Sequence, residues 1–405
     1  MSYPTDLSPG ERELAQARLR ELAERFTADG ILRTPQWRDV FERTWRHPYV
    51  PSFYPTLDGP CLLSIDPRRR DDWLAAVYSD QTLITKVVQV PMSPALRPGS
   101  YPVYTSSSTM PSLVLRMLEA LDVHDGHWVL EVGTGTGYNA ALLSHRLGDR
   151  NVCSVDIDPA LITAARDRLA QLGYHPTLAA RDGAEGLVEH APFDKIIATC
   201  SLCAVPAAWI SQLRPGGTAL VHIEGPLGAG NLVALHRDAD RPGVQGRFLP
   251  WWGCFMARRT SAGSTTGSPR PVRTTVPPST RTTTLDPAQV DGTQMFPFLA
   301  QLHLPPGMYR AIRLTDNDTP ITYLACPDGS WCEITRTPDA TGHYTVREAG
   351  PTPLWTGIEA AWAEWRELGA PPWHEFGLTA TPTTHHIWHH HPDTGPHWAL
   401  PTPTW

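Results

Sequence analysis

Lysine is almost missing from this chain. Of its 34 basic residues only Lys86 and Lys195 are lysines, and the rest are arginine. Basic residues are outnumbered by 41 acidic ones, and the net charge of −7 argues against a nucleic-acid surface as the main business. Long apolar runs are missing too: no stretch approaches the roughly eighteen consecutive apolar residues of a membrane-spanning helix. Cysteine is sparse and odd in number, with seven residues (Cys61, Cys153, Cys200, Cys203, Cys254, Cys326 and Cys332), most of them inside apolar runs. No charged-then-apolar leader follows Met1. The expectation is a reduced, cytoplasmic protein that neither spans a membrane nor binds nucleic acid. Internal repeats are absent, and nothing in the sequence speaks to oligomeric state.

What is present centres on Trp128-Val-Leu-Glu-Val-Gly-Thr-Gly-Thr-Gly-Tyr-Asn139. An apolar run ends in Glu131, and glycines follow at 133, 135 and 137 before the helical pattern Ala140–Leu147. This reads as strand, glycine turn and helix, in which glycine permits positive φ and close approach of a ligand to the backbone. Asp156 ends a second short strand, followed by Ile157, where an acid in a Rossmann-type fold holds a ribose diol. The third glycine comes one residue early for a dinucleotide fingerprint. An acid directly before the loop suits a cationic ligand better than a pyrophosphate. S-adenosyl-L-methionine, with a sulfonium, an ammonium and no phosphate, is the better candidate than a nicotinamide or flavin dinucleotide.

The chain is long enough for more than one unit. Ser8-Pro-Gly-Glu11 predicts a helix with a capping box, and Thr34-Pro35 opens a second. Residues 52–104 look loop-rich with short strands, Trp73–Ile84 among them. Tyr104–Pro111 looks like a hydroxyl-rich turn feeding a helix over 112–121. Beyond the glycine loop, strands alternate with helices, which predicts a mostly parallel sheet covered on both faces. Asn231–His236 and Arg247–Met256 read as closing strands. The organisation expected is an N-terminal substrate-side extension (1–112), a Rossmann-like core (113–259), a Thr/Ser/Pro-rich linker (260–284) and a small α+β unit (285–405). In that last unit four strands precede a helix striped by Trp355, Ile358, Trp362 and Trp365.

A series of motifs resembles the protein-L-isoaspartate O-methyltransferases. These are Thr44-Trp-Arg-His-Pro-Tyr-Val-Pro51, Ser108-Thr-Met-Pro-Ser-Leu-Val-Leu-Arg-Met117, the block Val129–Leu143, Val155-Asp-Ile-Asp-Pro159, Arg181-Asp-Gly183, Pro192-Phe-Asp-Lys-Ile-Ile-Ala-Thr199 and Leu213-Arg-Pro-Gly-Gly217. Order and spacing match the family over about residues 35–257. A narrower resemblance is to actinobacterial relatives encoded beside ribosomal peptide clusters, which carry Thr-Ser-Ser-Ser-Ser-Gln-Pro where this chain has Thr105-Ser-Ser-Ser-Thr-Met-Pro111.

The resemblance implies a SAM-dependent methyltransferase, producing S-adenosyl-L-homocysteine and acting on a side-chain carboxylate of a peptide or protein carrying Asp or isoAsp. In the peptide-cluster branch the ester collapses to an aspartimide. Carried over residue by residue, the resemblance places Thr109, with Ser108 beside it, at the catalytic, substrate-facing position. His47 and Ser107 fall on the peptide-binding side. Glu131, Gly133, Gly135, Gly137, Asp156, Ile157, Asp182, Gly183 and Thr199 fall to the cofactor, the Asp182–Gly183 loop at its adenine. Two departures concern the substrate. Met110 replaces the family's Gln and so lacks an amide, and Thr109 stands where Ser is usual, adding a methyl group. A repair enzyme for isoaspartyl protein is one alternative, and a peptide-binding scaffold that keeps the fold is another.

Two further clusters attract attention. Cys200 and Cys203 form a CxxC without a second pair, which reads as packing rather than zinc or redox chemistry. Thr384-His-His-Ile-Trp-His-His-His-Pro392 gathers imidazoles, yet no Cys, Asp or Glu falls at ligand spacing within it. His385, Ile387 and His389 alternate as in a surface strand, and no metal is expected. Trp355, Trp362, Trp365, Trp373, Trp388, Trp398 and Trp405 supply aromatic area for a small core or a peptide-recognition face.

Overall fold

The computed structural model describes residues 6–55, 64–91, 100–261, 277–292, 295–315 and 317–401. Helix α1 (Pro9–Ala28) opens on the capping box, with Ser8 and Glu11 bonding each other's backbone N–H. Helix α2 (Pro35–Arg43) is N-capped by Thr34, and α3 (Arg70–Val77) follows. A hairpin of β1 (Leu83–Pro91) and β2 (Ser100–Ser108) leads into α4 (Pro111–Leu121).

The central alternation is β3 (Val129–Val132), α5 (Tyr138–Leu147), β4 (Val152–Asp156), α6 (Pro159–Gln171), β5 (Thr177–Ala180), β6 (Phe193–Leu202), α7 (Ala207–Gln212) and β7 (Leu213–Glu224). Next come β8 (Gly230–His236), β9 (Val244–Phe248) and β10 (Ser279–Thr283), then α8 (Met295–Leu302). Strands β11 (Tyr309–Leu314), β12 (Pro320–Ala325), β13 (Trp331–Thr335) and β14 (Tyr344–Ala349) precede α9 (Leu354–Glu367). The chain closes with β15 (Phe376–Ala380), β16 (His385–His389) and β17 (His397–Ala399).

The main sheet has ten strands in the order β17-β16-β15-β9-β8-β7-β6-β3-β4-β5. From β5 to β7 the neighbours are parallel, and from β7 to β17 they are antiparallel. Strands β3 and β4 are buried along their whole length, as a sheet covered on both faces requires. One face packs on the N-terminal helices with α4 and α5 through Phe26, Trp37, Phe41, Leu115, Leu118 and Leu142. The other is covered around Trp209, Phe248, Phe298, Trp373 and Phe376.

Several local expectations are corrected. Trp73–Val77 is helical: Trp73, Leu74 and Val77 all point inward at helical spacing, and the Trp73 indole N–H donates to the Val50 carbonyl at 2.8 Å. The hydroxyl-rich run is strand rather than turn, because β1 supplies a partner in register with Ser100–Ser108. Helix α4 begins at Pro111 with no side-chain cap, so the hydroxyls before it are not capping groups. The closing strand expected over 247–256 stops at Phe248, two residues before Pro250.

The C-terminal organisation also differs from the expected division. Strand β10 falls inside residues 260–284 and pairs with β14, giving a five-stranded antiparallel sheet β10-β14-β13-β12-β11 under α9. Residues 262–276 of that span lie outside the described residues, as do Cys61 and Trp405. Residues 376–399 then leave the small unit and extend the main sheet. Helix α8 joins the two parts, with Met295 and Phe298 in the main core and Phe296, Leu299 and Ala300 in the core of Trp355, Ile358 and Trp365. His385 and His389 are buried rather than on a surface strand, since the face of β16 that they share with Ile387 packs against Val205 and Phe376.

Candidate active site

The glycine loop follows β3 and starts at Gly133, whose N–H donates to Val155 O at 2.8 Å. Gly133 has φ +102°, and a Cβ there would sit 2.5 Å from the Thr199 hydroxyl, so both conformation and space require glycine. Thr199 donates to the carbonyl of Gly133 at 2.7 Å, closing the loop on β6. Gly137 serves differently. It opens α5 from the left-handed region, φ +89°, and a Cβ there would press on Ala165 of α6 at 3.2 Å, so glycine is required for the helix entry and its packing.

Glu131 is fully buried and accepts from Ser154 Oγ at 2.5 Å and Asn139 Nδ2 at 2.8 Å. Burial pushes its carboxyl up to about 7, against the pull of those two donors. Asp156, at the end of β4, accepts from the N–H of Gly135 at 2.9 Å and of Asp158 at 3.0 Å, and burial raises its pKa as well. Asp182 N-caps a short turn by accepting from Ala184 N–H at 2.9 Å, and it pairs with Arg258 at 2.5 Å.

The facing wall comes from β2. Ser106 Oγ and Ser107 O lie 3.7 Å from where a Gly135 Cβ would stand, so this strand runs close beside the glycine loop with room for little more than a methyl group between them. Its position is set by Arg46, a fully buried guanidinium donating to Ser108 Oγ and to the carbonyls of Val77, Ser79, Gln81, Ser108 and Thr109. Burial lowers the Arg46 pKa to about 10, so it stays charged at neutral pH. The hairpin is tied to the glycine-loop side by a Lys86–Asp158 ion pair and by Arg259 donating to Thr105 O at 3.3 Å. After β9 the chain returns beside the end of β6, where Ser201 N–H donates to Met256 O and Arg258 N–H to Ser201 O. Residues 256–259 thereby edge the mouth.

Between these walls lies a cavity of about 410 Å³. Ser107, Ser108, Thr109, Glu131, Gly133, Gly135, Asp156, Ile157, Gly183 and Thr199 all line it. Gly137, Asp182 and His47 do not. His47 is buried among Trp45, Trp73 and Tyr78, with Nδ1 2.5 Å from the Tyr78 hydroxyl. Burial drops its pKa to about 4, leaving a neutral packed ring. Met110 is also off the cavity, and its N–H donates to Thr82 Oγ1 at 3.1 Å. Cys200 lines the cavity, but burial raises its thiol to about 12, and Cys203 is a free, exposed thiol.

Sequence reasoning missed Arg46, Tyr104, Met256, Arg258 and Arg259. Arg46 had a signal, since it sits beside His47 inside a quoted motif, and Tyr104 opens the hydroxyl-rich Tyr104–Pro111 run. Tyr104 is placed by its pairing with Val87 of β1 and Met256 by its bond to Ser201, whereas Arg258 and Arg259 are placed by contacts with Asp182 and Thr105 across more than seventy residues of chain.

The family described as Protein-L-isoaspartate(D-aspartate) O-methyltransferase matches residues 72–245. A protein-L-isoaspartate O-methyltransferase of Rhodospirillum rubrum is 32% identical over 193 residues, 47% of this chain and 82% of that protein. The chain belongs to the protein-L-isoaspartate O-methyltransferase family. The enzyme of the same name from Myxococcus xanthus is 38% identical over 36% of this chain and 71% of its own. One from Syntrophobacter fumaroxidans, 38% identical, is matched over 54% of its length. A solved protein-L-isoaspartate O-methyltransferase structure shares the fold at 22% identity and a TM-score of 0.51, covering 92% of this chain and 98% of that one.

The family consists of SAM-dependent carboxyl methyltransferases, and the cavity fits that donor. Asp156 offers a buried carboxylate whose partners here are backbone N–H groups. Asn139 Oδ1 is a buried acceptor on the cavity wall with no protein partner among the described residues. Such acceptors suit a ribose diol and an ammonium group. Among the described residues no helix is long and apolar enough to cross a membrane.

Proposed function

We propose that the chain methylates an aspartyl-type side-chain carboxylate of a peptide held against Ser107, Ser108 and Thr109. The observation that carries this reading is that the glycine loop and the hydroxyl-bearing strand lie close together and line one cavity. It puts hydroxyl donors beside the place where the donor molecule would sit, with no residue needed as a base. A carboxylate with a pKa near about 4 is already ionised at neutral pH. When bound, SAM supplies an electrophilic methyl on sulfur, which passes to a carboxylate oxygen as the carbon–sulfur bond breaks and a neutral thioether leaves. The chain's task is then alignment. Arg46 fixes the strand, the hydroxyls of Ser107–Thr109 hold one carboxylate oxygen, and Tyr104, 43% exposed at the mouth, offers an aromatic face to the peptide.

The substrate we infer is Asp in a dedicated, ribosomally made peptide in the cytoplasm. The resulting methyl ester would lose methanol as the following backbone nitrogen attacks it, leaving an aspartimide. Support comes from the Thr105–Pro111 block and the substitution of Met110 and Thr109 at otherwise Gln and Ser positions. Repair of isoaspartyl protein is the second reading, favoured by the names of the relatives. The test is mass spectrometry of matched Asp and isoAsp peptides incubated with the full chain and SAM. Methylation of isoAsp alone establishes repair. No turnover of either, with SAM bound, directs the search to a partner peptide that gains a methyl and then loses methanol. Failure to bind SAM refutes the reading.

A further inference from the structure

We propose that Glu375, His389 and His390 form a divalent-metal site, best suited to zinc, that clasps the open end of the β15–β16 hairpin. The histidine run contains no acid of its own. Register supplies one: Phe376 pairs with His389, so Glu375, one residue before β15, lies across from His390, one residue after β16. One ligand atom from each of the three residues lies within 4.8 Å of the others.

The spacing is that of a coordination shell. Glu375 Oε2 is 3.3 Å from His389 Nε2 and 3.6 Å from His390 Nε2. With zinc–nitrogen and zinc–oxygen bonds of about 2.0–2.1 Å, the edges of a tetrahedral site are about 3.3–3.4 Å. Two edges are thus close to the required length without a metal to draw them in.

The backbone adds a second argument. Neighbouring residues of a strand face opposite sides, so His389 and His390 in extended conformation would diverge. His390 instead has φ +60°, a left-handed conformation that a non-glycine residue seldom adopts, and its ring lies 3.9 Å from that of His389. This turn is held from both sides: His390 N–H donates to Glu375 O at 2.9 Å, and Arg247 donates to the carbonyls of Glu375 and His390. Arg247 brings an adverse positive charge, but its guanidinium is spent on carbonyls and on the face of Trp388, 4.9 Å away.

The donor set is chemically apt, since two imidazoles and a carboxylate are a known zinc triad with a fourth position for water. The His389 side chain is 4% exposed, Glu375 33% and His390 66%, giving one anchored ligand and two at the surface with access for an ion. The neighbouring histidines are less suitable. His391 Nδ1 accepts from Asp393 N–H at 3.2 Å, and the His386 ring lies against His397 instead.

The experiment is titration of the chelator-treated full chain with Co(II), followed optically, and displacement by Zn(II). About one equivalent should bind with the intense visible bands of a four-coordinate site. Glu375→Gln and His390→Ala, both at surface positions, should each weaken binding tenfold or more, at least what loss of an outer-shell partner costs. His386→Ala and His391→Ala should bind like the native chain. Absence of stoichiometric binding overturns the proposal, as does binding that survives E375Q and H390A or falls with H386A and H391A, the behaviour of a loose histidine tract.

Discussion

The two walls of the cavity are built in opposite ways. The glycine-loop wall is nearly contiguous, running from Glu131 through the glycine loop to Ile157, with Gly183 added by the short turn after β5 and Thr199 by β6. The facing wall is assembled from β2, from Arg46 more than sixty residues earlier, and from residues 256–259 far downstream. A contiguous wall is set by backbone geometry and glycine conformation. An assembled wall depends on a few side chains that span the gap, so single substitutions there should reach further.

Arg46 is where that contrast should be sharpest. Arg46→Ala removes the donors to five carbonyls and Ser108 Oγ in a buried place. Each buried acceptor left bare costs about 1–3 kcal/mol, so a loss of at least 3–5 kcal/mol and of methyl transfer is expected. Arg46→Lys keeps the charge and part of the bonding, and should recover part of the melting temperature. Thermal unfolding and methyl transfer of both variants check this. A stable, active R46A would show that the assembled wall does not hang on this residue.

On the glycine-loop wall the effects should be confined to binding. Asp156→Asn retains the shape but loses a charged acceptor, worth about 1.5–3 kcal/mol, so SAM affinity should fall about 10- to 100-fold with the melting temperature little changed. Calorimetry decides it, and unaltered affinity would mean that the ribose is held elsewhere.

Glu131 gives a smaller, pH-dependent effect. Its pKa in the fold, about 7, lies above the ordinary 4.5, because burial favours the neutral acid. The stabilisation tied to that proton is complete below 4.5 and is lost as pH rises through about 7. A bound cation favours the carboxylate. SAM affinity should therefore climb as pH rises through that range, by no more than about tenfold per pH unit for one proton. Glu131→Gln should flatten the profile. A native profile already flat between pH 6 and 8, values set to straddle the ~7 midpoint, would leave Glu131 only its bonds to Ser154 and Asn139.

The same contrast explains what was readable in the sequence. The parallel half of the sheet and the glycine-loop wall were legible because glycine spacing, strand-end acids and alternating helices are local signals. Strand β2 was not, since its serines and threonines resemble a turn until β1 is known to pair with them. Nor was the C-terminal return to the main sheet, because the choice of β9 as the partner of β15 is made by packing of Phe248, Phe298, Trp373 and Phe376. Gly137 and Asp182 show the limit in the other direction: both sit in the right motif, and neither lines the cavity.

His47 tests that limit with the smallest expected effect. Its motif points to peptide binding, whereas its ring is packed behind the assembled wall next to Arg46. His47→Phe keeps an aromatic ring and removes the bond to Tyr78, so a cost of about 1 kcal/mol is expected. With a pKa near 4 the native imidazole is already neutral above pH 5 by about a factor of ten, so the substitution should add no pH dependence there. A lower melting temperature with unchanged KM would assign His47 to packing. A raised KM at unchanged stability would put it on the path of the peptide and extend the assembled wall beyond the cavity.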